Sequence, residues 1–323
     1  MTSVPVGAAV RVRVPASSAN LGPGFDSVGL ALGLWDACAV LVTDGAGLDI
    51  DVVGEGAADV PRDASHLVVS SMVRGFDQLG QPFPDGLKLL AHNGIAHGRG
   101  LGSSAAAIVA GVVAAHALSA LAMTPDLAVG SPVPVDLGLV NDLASELEGH
   151  PDNASASVYG GMTLSWTVDP GQPHAGRTGT APIAVHPDVT AVLFVPATQL
   201  ATHHARSVLP ATVPHREAAQ NAGRAALLIE AMTRRPDLLV PATREWLHQE
   251  ARRPSFAPSM ALVDALRADG HAAVISGAGP SILVLTTRDR VVDVVVPAAL
   301  GGGCDWRRLE PGIPGHGVEV TRG

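Results

Sequence analysis

The chain has 323 residues, 47% of them hydrophobic, two cysteines and a net charge of −9, a length that accommodates two domains with substantial cores. Acidity without basic clusters argues against nucleic acid or an anionic membrane as partner. Cys38 and Cys304 form neither a metal spacing nor a disulfide framework, which suits a reducing cytoplasm.

Residues 10–14 alternate Val and Arg, the period of a half-buried strand, so Arg11 and Arg13 belong to a strand rather than to a leader segment. Extended character follows over 27–42 and 48–53, and returns over 87–91. From Ala105 to Ala122 runs an Ala-rich apolar stretch containing Gly111 and His116, which reads as a core helix rather than a membrane span. Leu137, Val140, Leu143 and Leu147 recur at helical spacing within 135–147, and strand character resumes over 159–167. Residues 168–181 are rich in Gly, Pro and Thr and read as a linker, dividing the chain into domains 1–167 and 168–323. Beyond it a strand is expected over 190–195 and helices over 216–232, 238–249 and 259–268. A strand pair, 272–275 and 282–285, flanks Gly277-Ala278-Gly279-Pro280. Strands and helices alternate in both halves, so the expected class is α+β in two domains.

The most informative segment is Gly100-Leu101-Gly102-Ser103-Ser104-Ala105-Ala106. Glycines and serines at the entrance to a long helix leave its first N–H groups exposed, and with the helix dipole they suit a phosphate. The same residues also suit a Ser-capped core helix, or formally a G-x-G-x-x-A dinucleotide fingerprint. Against the fingerprint, a polar loop separates 87–91 from the glycines, and Asp126 follows Thr124-Pro125 without a strand. Lys88, the only lysine, lies in Gly86-Leu87-Lys88-Leu89-Leu90, which disfavours a P-loop NTPase, a protein kinase and a pyridoxal phosphate enzyme. If phosphate is handled here, backbone dipoles, arginines and Mg²⁺ must supply the positive charge.

Four other segments carry chemistry. Residues 15–26, with Asn20 and Asp26 among two prolines and two glycines, form either plain turns or a rigid loop that holds an amide and a carboxylate toward a polar ligand. Glu146-Leu147-Glu148-Gly149-His150-Pro151-Asp152-Asn153 concentrates three carboxylates, an imidazole and an amide; one carboxylate suffices for Mg²⁺, which keeps water and phosphate as its other ligands. In residues 202–210, Arg206 can clamp a carboxylate or phosphate, while His203 and His204 lack metal-ligand spacing. Ser276-Gly277-Ala278-Gly279-Pro280-Ser281 is a tight turn that either closes over a ligand or joins two strands.

In this order, across residues 11–286, these segments resemble the GHMP small-molecule kinases, and within them the homoserine kinase branch. The resemblance implies an N-terminal S5-domain-2-like α/β domain that binds ATP and a C-terminal ferredoxin-like α+β domain that contributes substrate-site residues. It implies ATP and Mg²⁺ as cofactors and transfer of a phosphoryl group to the side-chain hydroxyl of L-homoserine, an early step toward threonine, or to another small hydroxy amino acid or alcohol. The ATP loop would be Ile95, Ala96, His97, Gly98, Arg99, Gly100, Leu101, Gly102, Ser103, Ser104 and Ala105. Ser104 and Glu148 would hold the metal. Asn20, Asp26, Asp152, Thr202, Arg206, Arg252 and Gly279 would hold the substrate, with Asp152, His150 and Asn20 nearest the chemistry. A non-catalytic relative would be expected to lose the carboxylates, which this chain keeps. Two departures stand out: Ala96 replaces the usual proline, and Glu250-Ala251 replaces the usual Pro-Tyr before the second arginine, so Arg253 competes with Arg252 in register. The family also implies a homodimer in the cytoplasm.

Overall fold

The alternation at the N-terminus builds β1 (Ala9–Ala19), with Val10, Val12 and Val14 buried and Arg11 and Arg13 facing solvent. The computed structural model describes residues 4–198, 207–300 and 304–323. β1 pairs antiparallel with β2 (Val28–Val42) from Ala9↔Leu41 to Ala19↔Gly29, with the register slipping between Pro15 and Ala16. A proline cannot donate to the ladder, so the irregularity falls where the lost bond costs least. β3 (Gly47–Gly54), α1 (Leu67–Gln78) and β4 (Gly86–Asn93) form a β-α-β crossover, β3 and β4 pairing in parallel. The first sheet runs β11-β1-β2-β4-β3, with β5 (Met162–Thr167) on β2 and β6 (Thr178–Ile183) on β5; β11 is Glu319–Arg322.

Behind this sheet lies α2 (Ser103–Met123). It is long and apolar enough to cross a membrane, yet most of it is buried inside the protein, as befits a helix apolar on every face. α1 packs on it closely because Gly111 has no side chain: a Cβ there would stand 2.3 Å from Val68 O. α3 (Leu137–Glu148) starts at Asp136, whose Oδ1 accepts the N–H groups of Gly138 (2.9 Å) and Leu139 (3.1 Å). It ends at Gly149 in the left-handed region (φ +81°), and the chain turns at once into α4 (Pro151–Tyr159).

The second sheet is antiparallel, ordered β10-β7-β9-β8 from β7 (Val189–Pro196), β8 (Ala272–Ile275), β9 (Ile282–Thr287) and β10 (Trp306–Leu309). Numbered within itself this is the 4-1-3-2 order of a ferredoxin-like fold, with α5 (His215–Thr233) and α6 (Ala257–Ala268) in the first crossover and a 3₁₀ turn, Arg288–Asp293, in the second. The two-domain α+β class is therefore observed.

Two expectations differ in detail. The residues read as a linker contain β6, so the sheets divide between β6 and β7 rather than at 167/168, and β11 returns the C-terminus to the first sheet through Val10↔Arg322. The helix expected over 238–249 is broken into the short turns Leu239–Ala242 and Gln249–Arg252, with the chain non-helical over 243–248. α1 and α4 were not anticipated.

Candidate active site

The loops singled out by sequence lock together at the N-terminus of α2. Ser17 N–H donates to Leu101 O (3.1 Å), Gly277 N–H to Ala19 O (3.2 Å) and Ser281 N–H to Arg99 O (3.3 Å). Ser276 Oγ donates to Gly100 O (2.6 Å) and lies 2.8 Å from Ser18 Oγ. Gly102 is the N-cap of α2 at φ +67°, and no side chain caps the helix. The Ser-capped helix is therefore not what forms. The first intrahelical acceptor bond goes from Ala106 N–H to Gly102 O (2.9 Å), so the N–H groups of Ser103, Ser104 and Ala105 open toward the space in front of the helix. The chain after α2 runs into α3 with a single isolated bridge at Pro132, so the strand that a dinucleotide fold requires does not follow.

In front of that helix end lies a polar cleft of about 250 Å³ lined by Asn20, Asp26, Gly98, Ser103, Ser104, Glu148, His150, Asp152 and Arg252, with Gly277 and Ala278 above. Segments as distant as 20 and 277 thus reach one cavity. Asn20 Oδ1 accepts Asp26 N–H (3.1 Å) and its Nδ2 donates to Gly277 O (3.1 Å), so the amide braces two loops as well as lining the cleft. Asn20, Leu21 and Asp26 all hold positive φ, a cost the interlocked loops sustain. Asp152 is buried in the first turn of α4; its Oδ1 accepts Asn153 N–H (2.8 Å) and stands 3.1 Å from His150 Nδ1.

Glu148, the last residue of α3, accepts a hydrogen bond from Ser104 Oγ at 2.7 Å. Burial pushes its carboxyl above the usual range, opposed by the Ser104 bond and by His150, and Asp152 adds to the rise. Among the described residues no group of three or more His, Cys, Asp or Glu could hold a metal. A hard oxygen pair, Glu148 with Ser104, is therefore what the cleft offers to a cation that takes its remaining ligands from phosphate and water.

Not every residue of the expected ATP loop reaches the cleft. Ile95, Ala96 and Ala105 are buried in the core. Arg99 points away, donating from Nε to Pro196 O (2.9 Å) and from Nη2 to Ala197 O (2.7 Å) at the end of β7. Gly279 packs against Gly100 and Phe256 behind the Gly277-Ala278 wall. Arg252 lines the cleft, whereas Arg253 is half-buried outside it and paired with Glu250 (2.7 Å) and Asp264 (2.8 Å). Thr202 and Arg206 lie outside the described residues.

Sequence reasoning missed a second cavity. Ser103 and Ser104 also line an apolar pocket of about 280 Å³ whose walls include Cys38, Val60, Leu67, Val68 and Ala107, with His66, Asn93 and His97 among its polar lining. At one side Asp36 Oδ1 accepts the N–H groups of Gly94 (2.8 Å) and Ile95 (2.9 Å), pinning the start of the loop. Burial raises that carboxyl to about 6, although both backbone bonds pull it down. Burial likewise pushes the Cys38 thiol up to about 12. No local motif could have announced this pocket, since its lining comes from β2, α1, β4 and α2.

Residues 66–161 match the family described as GHMP kinases N terminal domain, and residues 216–298 match GHMP kinases C terminal. The homoserine kinase of Streptomyces coelicolor is 50% identical over 313 residues, covering 97% of this chain and 94% of that protein. That of Streptomyces avermitilis is 53% identical over 278 residues, 86% of each chain. Among solved structures, homoserine kinase from Cytophaga hutchinsonii shares the fold at a TM-score of 0.81 over 98% of both chains, with 23% identity. The chain belongs to the homoserine kinase group of the GHMP kinase family.

Proposed function

We propose that this chain transfers the γ-phosphoryl group of ATP to the side-chain hydroxyl of L-homoserine, releasing ADP and O-phospho-L-homoserine. The observation that carries the reading is that Ser103 and Ser104 line both an apolar pocket and a polar cleft. A nucleotide has that same division, an adenosine to be buried and a triphosphate to be met by N–H groups at a helix end. The homoserine kinases at about half identity over nearly the whole chain supply the substrate.

In this reading the adenosine occupies the pocket over Ala107, and the phosphates follow Gly98, Gly100 and Gly102 to the start of α2. Arg252 holds the amino acid's carboxylate, a role the family resemblance extends to Arg206 and Thr202, and Asp26 and Asn20 face its ammonium end. Asp152, steadied by His150 and by Asn153 N–H, accepts the hydrogen bond of the substrate hydroxyl and aligns its lone pair on the γ-phosphorus. The new O–P bond forms as the bond to the β-bridging oxygen breaks, and the hydroxyl proton leaves to Asp152. The transition state is loose, so placement and charge stabilisation do most of the work, which is what a preorganised cleft offers. Mg²⁺ is the metal we assign; Glu148 and Ser104 would hold it, and when bound it neutralises charge on the phosphate oxygens.

A coupled ADP-release screen over homoserine, threonine, serine, mevalonate and galactose tests the substrate: the highest kcat/KM should belong to homoserine, and a higher value for any other alcohol replaces it. The cytoplasm as compartment is supported by two free cysteines, Cys38 buried and Cys304 partly so. A homodimer rests on the family resemblance, and light scattering of the purified chain checks it.

A further inference from the structure

We propose that His248 is a positioning residue for the substrate: its Nδ1 fixes the Arg252 guanidinium, while the 22–25 turn holds the ring in place. The inference rests on Arg252 holding the homoserine carboxylate, as assigned above.

His248 lies behind the cleft with its side chain fully buried. Its Nε2 is 2.9 Å from Gly22 O, and a carbonyl only accepts, so Nε2 carries the proton. Burial drives the ring's pKa down against the pull of Glu245, so the ring is neutral and Nδ1 presents a lone pair. That lone pair faces Arg252 Nη1 at 3.4 Å, a group that only donates. Both ring nitrogens therefore have partners of the right sense, one in the loop after β1 and one in the turn that precedes α6.

Phe25 closes the arrangement. Its ring stacks on His248 (centroids 5.1 Å apart, 23° between planes) and carries the Arg252 guanidinium at 5.7 Å. Phe25 and Arg252 both line the cleft, so rotating His248 would move two walls of the substrate site at once. The ring's own mount is rigid. Glu245 Oε2 accepts the N–H groups of Leu247 (2.6 Å) and His248 (2.9 Å), and Oε1 accepts that of Gln249 (2.9 Å). A residue serving only to fill space would need neither nitrogen.

Two near-isosteres separate the two bonds. Gln places its amide where Nε2 stands and keeps the Gly22 contact; Asn places its amide where Nδ1 stands and keeps the Arg252 contact. His248→Gln should raise the homoserine KM about tenfold, with the ATP KM and kcat within twofold of wild type. His248→Asn should restore most of that loss. Added to Arg252→Ala, His248→Gln should change the homoserine KM less than twofold, because it acts through an arginine already gone. Melting temperatures verify that each variant is folded. Equal homoserine KM values for the Gln and Asn variants, parallel losses in ATP KM, or full multiplication in the double variant would each overturn the proposal. Absence of homoserine turnover by the wild type overturns the substrate reading and this one together; wild-type turnover with an unchanged KM in His248→Gln overturns this one alone.

Discussion

Gly102→Ala is the sharpest perturbation of the proposed phosphate seat. Gly102 sits at φ +67°, ψ 27°, where a Cβ costs about 1 kcal/mol or somewhat more. That Cβ would also stand 2.0 Å from Ser17 Oγ and 3.2 Å from Asn153 Oδ1. Ser17 must turn away, breaking its 3.0 Å bond to Asn153 in a buried site. Leaving that pair unsatisfied costs about 2 kcal/mol, for a total of about 3 kcal/mol and a fall in melting temperature on the order of 5–10 °C. The protein should still fold. Activity should fall much further, about a hundredfold in kcat/KM for ATP, because the N–H groups of Ser103 and Ser104 move with the cap. Gly130→Ala is the control: the same left-handed strain (φ +82°) with nothing within 4 Å of the added Cβ and no place in the cleft. It should melt slightly lower with unchanged kinetics. Steady-state kinetics and thermal melts of both variants decide the matter. A folded Gly102→Ala protein with turnover within twofold of wild type refutes the assignment of phosphate to this helix end.

Glu148→Gln keeps the size and the Ser104 contact but removes the charge, so kcat should drop by about two orders of magnitude or more and the Mg²⁺ concentration needed for half activity should rise; near-normal turnover would remove Glu148 from the metal role. Ala107→Leu fills the apolar pocket and should raise the ATP KM at least about tenfold while leaving the homoserine KM unchanged; the reverse pattern would place the adenosine elsewhere. Asp36 has a pKa near 6 in the fold against an ordinary 3.8, so its ionisation costs the folded state nothing below about pH 4 and about 3 kcal/mol above about pH 6. Asn retains the acceptor for Gly94 and Ile95 N–H without ionising. The stability of Asp36→Asn relative to wild type should therefore climb between pH 4 and pH 7, as read from melts across that range, and a flat difference contradicts the shift.

β1 is legible because one of its faces meets solvent: Val10, Val12 and Val14 alternate with Arg11 and Arg13, and only that alternation distinguishes a half-buried strand. α2 is legible for the opposite reason, a long apolar run interrupted only by His116 and Ser119. α1 passes unread because Val68-Val69 imitates a strand, although Val68, Val69, Met72 and Phe76 share its buried face. α4 is almost wholly buried, and its short mixture of Ser, Ala and Asn has no polar face to set a period. β6 is disguised by the Gly, Pro and Thr around it, and β11 by a pairing partner some 310 residues away. In the site, Asn20, Ser104, Glu148 and Asp152 stand in dense local motifs, so chemistry exposes them. Arg99 stands in an equally dense motif yet turns to β7, since residue type does not set direction. His248, Phe25 and the apolar pocket depend on contacts between distant segments and leave no local trace.

The central claim is that one cleft brings ATP and an amino-acid hydroxyl together at the N-terminus of α2. Phosphorus NMR of the purified protein with ATP, Mg²⁺ and L-homoserine tests it most directly. The account predicts a new phosphomonoester resonance growing in step with ADP, coupled to the side-chain methylene of homoserine and lost in Gly102→Ala. ADP accompanied only by inorganic phosphate, or an ester formed at equal rate by the Gly102→Ala variant, would contradict it.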